Sequence, residues 1–248
     1  MGFFKALRRI RAKYFKNKLD GFTSKIEIHD FDVALPEKGA SWIHKIPILK
    51  SFNIDDTILE AVLQKKIGPG DVVRIDLNWT HHVGEMVERA GYYKGQYNMA
   101  QWYPKLAEYD FEGWHPNPYV GREFHGVWGD YSVNITIDKR YVVGGTGYLQ
   151  NVDEIGHGYS KKETKQTDGS TNTWKFYAPN VHDFAWAADP DYIHDIKKSS
   201  SGVDLHFFYK PSVNTDDWKK LQYDTVKLMD YFEKNLGPYP WKQYSVIQ

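Results

Sequence analysis

The 248-residue sequence contains no cysteine. That absence excludes disulfide staples, thiolate zinc sites, cysteine nucleophiles and iron–sulfur clusters, and it suits a reducing or an oxidising compartment equally. Long apolar runs are missing too. None approaches the roughly 18 residues needed to cross a bilayer, and the first residues lack the uninterrupted apolar core of a secretory signal. A soluble chain with no transmembrane segment is expected. Catalytic signatures are equally scarce. None of the ten histidines is followed by Glu, so the helical His-Glu-x-x-His arrangement, which aims two imidazoles at one zinc ion, does not occur. There is also no Gly-rich phosphate loop ending in Gly-Lys-Ser/Thr and no Gly-x-Ser-x-Gly elbow.

What the chain has in quantity is aromatic residues, at 16% with 9 Trp, 18 Tyr and 13 Phe. Such side chains suit pleated, half-buried surfaces better than helix bundles. A chain of this size should bury about 70 to 75% of its unfolded surface, so a substantial core is affordable and disorder is not expected. Net charge is +0, yet it is unevenly spread. Lys5, Arg8, Arg9, Arg11, Lys13, Lys16 and Lys18 all precede the first acid, Asp20, leaving 25 bases against 32 acids in the rest, a net of −7. Outside that leader there is no basic footprint, and no nucleic-acid partner is expected.

Within the leader, Phe4, Leu7, Ile10 and Tyr14 recur at helical spacing, so residues 1–20 read as a basic amphipathic segment, helical over 3–18. A membrane-surface or polyanion-binding arm and a plain solvated or docked terminal helix both fit it. From about Lys25 the period changes to two. Val73, Ile75, Leu77 and Trp79 alternate with Arg74, Asp76 and Asn78 after the turn Gly68-Pro69-Gly70-Asp71. Tyr131, Val133, Ile135 and Ile137 alternate with Ser132, Asn134, Thr136 and Asp138. Further strands are expected at 59–63, 141–144, 173–177 and 204–209, and an exposed hairpin tip at 160–172. Trp218, Leu221, Thr225, Leu228, Phe232 and Leu236 then mark one amphipathic helix. It opens on Asp216 and Asp217, stops at Gly237-Pro238, and is followed by a strand-like end at 244–247. The fold class is mainly β, antiparallel and β-sandwich-like, with a short α/β end.

Five groups of residues carry possible chemistry, each with an ordinary structural alternative. His81 and His82 are adjacent, which on a strand sends them to opposite faces, against a shared metal. His182, Asp183, Asp189, Asp191, His194 and Asp195 are dense enough to hold a divalent ion, although Asp189-Pro190-Asp191 also reads as turn chemistry. His115 and His125 lie in a Trp-rich stretch, as ligands or as packed, hydrogen-bonded rings. Glu108, Asp110 and Glu112 alternate, so on a strand they share a face, as an acid/base pair or as a solvated edge. Trp102, Trp114 and Trp128 would line a sugar or peptide groove if exposed and fill the core if not.

Several segments read together resemble consecutive landmarks of one family. They are residues 100–110 (AQWYPKLAEYD), 126–137 (GVWGDYSVNITI), 142–151 (VVGGTGYLQN), 180–190 (NVHDFAWAADP) and 236–240 (LGPYP). In order and spacing they are similar to the aminopeptidase N family of gluzincin zinc peptidases. The likeness runs from about Thr57 to Gln248. It implies a saddle-like, antiparallel N-terminal β domain over 21–202, with residues 203–248 as the leading strand, helix and strand of an incomplete thermolysin-like catalytic domain.

In that family a Gly-Ala-Met-Glu-Asn type motif grips the free amine of the substrate, and the zinc helix with its His-Glu-x-x-His lies farther on. Both fall past Gln248. The resemblance therefore implies the front part of a zinc aminopeptidase that hydrolyses N-terminal residues from peptides. Zinc, peptide substrate and catalytic domain belong to the full-length parent, and no metal ligand, general base or catalytic residue is expected in this chain, which would be inactive alone. The one site residue it implies is Gln96, which lies about where the family's β domain lends a Gln to the substrate. Gln101 stands where the family usually has Arg. The alternative reading is a non-catalytic β-sandwich binding or scaffold module for peptide or carbohydrate.

Overall fold

The computed structural model describes residues 7–13, 18–19, 22–23, 25–36, 45–85, 89–117, 125–160, 169–212 and 214–248. In chain order the elements are β1 (Leu7–Lys13), β2 (Lys18–Leu19), β3 (Phe22–Thr23), β4 (Lys25–Pro36), β5 (Lys45–Pro47), β6 (Leu49–Asp55), β7 (Ile58–Ile67) and β8 (Arg74–His82). Then come β9 (Ala90–Tyr93), β10 (Gln96–Met99), β11 (Lys105–Leu106), β12 (Glu108–Asp110), β13 (Gly113–His115), β14 (Gly129–Asp138), β15 (Val142–Gly145) and β16 (Tyr148–Leu149). A short helix α1 (Val152–Ile155) precedes β17 (Thr171–Val181), β18 (Trp186–Asp189), β19 (Ile193–Lys198) and β20 (Asp204–Tyr209), and a long helix α2 (Thr215–Leu236) leads into β21 (Gln243–Ile247). The protein is mainly β and β-sandwich-like. It divides into two compact units, one of residues 1–91 with 101–128 and the other of 92–100 with 129–248. The domain boundary expected at residue 202 falls in the turn between β19 and β20.

In the first unit, Leu59, Ala61 and Leu63 of β7 are buried on alternate positions. They pack with Phe31, Val33 and Ile48 into one core, against which Leu77 and Trp114 lie half-buried. One four-stranded sheet has the order β11-β1-β7-β6, another three strands run β5-β4-β8, and β12-β13 form a hairpin. Here the leader departs from expectation. Leu7–Lys13 is a strand, antiparallel to β7 with Arg9 opposite Val62 and Lys13 opposite Ile58. The edge of β7 presents unpaired N–H and C=O groups, and pairing with them outweighs a weak local helical period. The remainder of the expected helix, residues 3–6 and 14–17, lies outside the described residues, as do 161–168 of the expected hairpin tip.

The second unit shows its alternation more cleanly. Along β14 the side chains of Tyr131, Val133 and Ile135 turn inward while Ser132, Asn134 and Thr136 are exposed, and β17 buries Trp174, Phe176 and Ala178. β20 differs, because both its faces are covered. Leu205, Phe207 and Tyr209 meet Met229, Trp218 and Val226 of α2. On the other side Phe208 joins Val142, Ala187 and Tyr192. β21 then pairs parallel to β20, with Phe207 opposite Val246, which requires the crossover that α2 supplies.

The two stretches that carry the family likeness most strongly are bonded to each other. Thr146 N donates to Ala185 O at 2.9 Å and Ala185 N donates to Thr146 Oγ1 at 3.1 Å, while β15 runs antiparallel to β18. Asn151 saturates its amide by donating to Glu154 Oε2 and Thr173 O and accepting from Lys175 N. Gly144 is needed for closeness: a Cβ there would lie 2.9 Å from both Ile247 and the Phe208 ring.

Of the apolar residues that mark helix α2 in the sequence, Trp218 packs on the sheet. Trp218, Gln222, Val226 and Met229 face the sheet, whereas Leu221, Leu228, Phe232 and Leu236 are exposed. Two specific contacts set this rotation. The Trp218 ring stacks on Tyr209 with centroids 5.3 Å apart, and Gln222 Nε2 donates to Asp195 Oδ2 at 2.8 Å.

Candidate functional site

Gln96 opens β10 directly after a tight turn in which Lys94 and Gly95 both have positive φ. β10 pairs antiparallel with β18, Asn98 opposite Ala187. At the end of β18 the turn reading of Asp189 is what the structure has: Asp191 N donates to Asp189 Oδ1 at 2.8 Å. This turn aims buried Tyr192 toward Gln96. Gln96 Nε2 donates to Tyr192 Oη at 3.0 Å and to the Gln248 carbonyl at 2.9 Å, and Tyr192 Oη donates to that same carbonyl at 3.0 Å. Gln248 is itself held by its N–H on Phe208 O and by its side-chain oxygen, which accepts from Lys210 N. Lys210 Nζ pairs with buried Asp189 at 2.5 Å.

Burial, and then the Asp189 charge, push the Tyr192 phenol well above its ordinary range, so it stays protonated and donates. Among the described residues no group bonds the Gln96 amide oxygen, an acceptor suited to a donor such as an amine. On the opposite face of β10, Tyr97 gathers Tyr92, Tyr141 and Trp186, with ring centroids 4.7, 5.9 and 6.2 Å away.

The dense His/Asp stretch between 182 and 195 does not converge. Asp183 bonds the Phe184 N–H, and Asp195 Oδ2 accepts from Tyr209 at 2.6 Å and from Gln222. Burial raises the Asp195 carboxyl, but those two hydrogen bonds and the Lys197 charge outweigh it and hold it below its usual range. His194 turns instead to His206, a residue the sequence offered no reason to single out. His194 Nδ1 lies 2.9 Å from His157 O and so carries the proton, which makes Nε2 the acceptor for His206 Nδ1–H, also at 2.9 Å. Burial pushes both rings down to about 4. The pair is diagonal across the β19–β20 hairpin, His194 facing Phe208 and Ile196 facing His206, so only the hairpin register would have revealed it.

In the first unit, His81 and His82 alternate on β8 and go separate ways. His81 is half-buried and pushed down by burial, whereas His82 is exposed, 3.5 Å from Glu27. Of the three alternating carboxylates, Asp110 and Glu112 come together with His115 on the β12–β13 hairpin, while Glu108 pairs with His125. His115 Nε2 lies 2.8 Å from Asp110 Oδ1, and His125 Nε2 lies 2.7 Å from Glu108. The Asp110–His115 hydrogen bond lowers the Asp110 carboxyl and raises the His115 ring. Of the three tryptophans, Trp114 packs on the core, Trp102 lies against Trp79 and Tyr103, and Trp128 is exposed.

Among the described residues no helix is long and apolar enough to cross a membrane. A scan of protein-family models found no match to this sequence, and a search of curated proteins found none either. The fold, however, has solved counterparts. An M1 zinc metallopeptidase from Deinococcus radiodurans superposes with a TM-score of 0.62 at 12% identity, over 99% of this chain and 49% of that one. A mutant of an M1 zinc metallopeptidase from the same organism, bound to a Tyr-Ser-Ala substrate, superposes with a TM-score of 0.59 at 11% identity, over 99% of this chain and 50% of that one. The chain thus spans about half the length of these structures.

Proposed function

We propose that this chain is the substrate-framing part of a zinc aminopeptidase, acting with a metal-bearing domain that it does not itself contain. The observation that carries the reading is the fold, which follows an M1 metallopeptidase over 99% of this chain. The motif order from residue 100 to residue 240 points the same way. The residues present do not fit a peptidase zinc: no His-Glu-x-x-His occurs, and among the described residues Asp110, Glu112 and His115 alone bring three possible ligands together. No hydrolytic step is assigned to this chain.

Its contribution is recognition. In this reading the Gln96 amide oxygen accepts a hydrogen bond from the free amine of a peptide, while Tyr192 and Gln248 fix the rotamer by occupying the amide N–H groups. Pre-set orientation of that kind lowers the cost of binding. The test is the reading frame beyond Gln248. It should encode a His-Glu-x-x-His segment, and its product should release the terminal residue from Tyr-Ser-Ala in a chelator-sensitive way while the 248-residue chain does not. A frame lacking that segment, or turnover by the 248-residue chain alone, overturns the proposal.

The aromatic group around Tyr97 favours a second reading, a carbohydrate- or peptide-binding module, since Tyr92 is 40% exposed beside it. Titration with oligosaccharides and with short peptides should then quench Trp186 fluorescence for one of them, and a signal unchanged by both removes this reading.

A further inference from the structure

We propose that the β12–β13 hairpin binds one divalent first-row transition ion of the zinc type, through Asp110, Glu112 and His115. The alternation of the two short strands separates their faces. Tyr109 and Trp114 lie on one side with ring centroids 5.1 Å apart, and Trp114 is packed against the Phe31 and Leu59 core. Glu108, Asp110 and His115 therefore share the other side, with Glu108 directly opposite His115 in the register. Exposed Glu112 sits in the turn, where Gly113, at φ 115°, reverses the chain.

The geometry suits a single ion. One ligand atom from each of Asp110, Glu112 and His115 lies within 4.8 Å of the other two. Ligands at about 2.0 to 2.2 Å from a tetrahedral zinc are roughly 3.3 to 3.6 Å apart, so an ion entering here parts His115 Nε2 from Asp110 Oδ1, now hydrogen-bonded at 2.8 Å, and displaces the proton between them, an adjustment the exposed turn allows. The carboxylate is already oriented, because the Glu112 N–H donates to Asp110 Oδ1 at 2.8 Å. An adjoining pair, Glu108 of β12 with His125 at 2.7 Å, adds a further carboxylate and imidazole beside the hairpin, able to complete or support the coordination. Among the described residues neither Asp110 nor Glu112 is ion-paired with a Lys or Arg. Two carboxylates with an imidazole select ions that accept both oxygen and nitrogen, and disfavour magnesium, which prefers an all-oxygen octahedron.

This inference stands apart from the aminopeptidase reading and survives its failure. The untagged 248-residue chain, titrated calorimetrically with Zn²⁺ and followed with Co²⁺ by visible absorption, should take up one ion per chain. His115→Ala and Asp110→Asn should each weaken binding by at least about tenfold, since losing even a supporting group costs 10- to 100-fold. His29→Ala should leave binding unchanged, and circular dichroism checks that each variant is folded. In the wild-type chain, Co²⁺ should shift and broaden the His115 ring signals before those of His29 or His82. No uptake, uptake unaffected by both hairpin variants, or cobalt perturbation centred elsewhere would overturn the site.

Discussion

The His194–His206 pair shows how a buried contact becomes a pH response. Unfolded, each ring takes a proton near its ordinary 6.5, but folded it waits until about 4, so the unfolded state holds more protons between those values. Stability is therefore full above about pH 6.5 and falls toward pH 4 by about 1.4 kcal/mol per pH unit for each ring that titrates this way. Urea midpoints measured from pH 7.5 to 4.5 should show the slope, and His206→Phe should flatten it. Gly144 supplies a second residue-scale prediction. A valine there meets Ile247 and Phe208, and overpacking of that kind costs about 1 to 3 kcal/mol, readable as a lower urea midpoint at unchanged slope. Neither effect was legible in the sequence. His206 sits in an apolar run where a histidine has no visible partner until strand register brings His194 to it.

At the scale of elements, strands were legible from alternation or from a short apolar run. The period-two run at 131–137 lies within β14, and 204–209 is β20 to the residue. Helix α2 was legible in extent, but its apolar marks Trp218, Leu221, Leu228, Phe232 and Leu236 do not say which of them pack inward; Trp218 stacking and the Gln222–Asp195 bond decide it. The two faces give opposite expectations. Met229→Ala should cost about 2 to 5 kcal/mol, as truncation of a packed side chain does. Leu228→Lys, at a position 51% exposed, should stay within about 0.5 kcal/mol in this chain. Thermal unfolding of both variants separates the cases. If a further domain covers that face in a longer protein, Leu228→Lys should destabilise the longer protein and spare the 248-residue chain.

For the whole molecule, composition and periodicity gave the class, mainly β with a short α/β end, while division into two units was beyond them. Residues 92–100 leave their sequence neighbours to pair with β18 far along the chain, and only tertiary pairing makes that choice. The basic leader misled for a related reason: its partner strand is some fifty residues away. Of the candidate site, Gln96 could be named only through a family likeness, and its partners Tyr192 and Gln248 lie 96 and 152 residues from it. In the aminopeptidase reading, Gln96→Ala in the longer protein should raise KM for peptides with a free amine and leave N-acetylated peptides uncleaved as before. An unchanged KM would remove Gln96 from recognition.

The parallel placement of β21 beside β20 also sets a timetable for biogenesis. Translation at roughly 5 to 20 residues per second separates these two strands by about 2 to 7 s. Until β21 arrives, the chain carries the aromatic ribbon Phe207-Phe208-Tyr209 with one hydrogen-bonding margin unclaimed, so fragments ending near Lys210, once released from the ribosome, should demand a holdase that fragments ending past β21 do not.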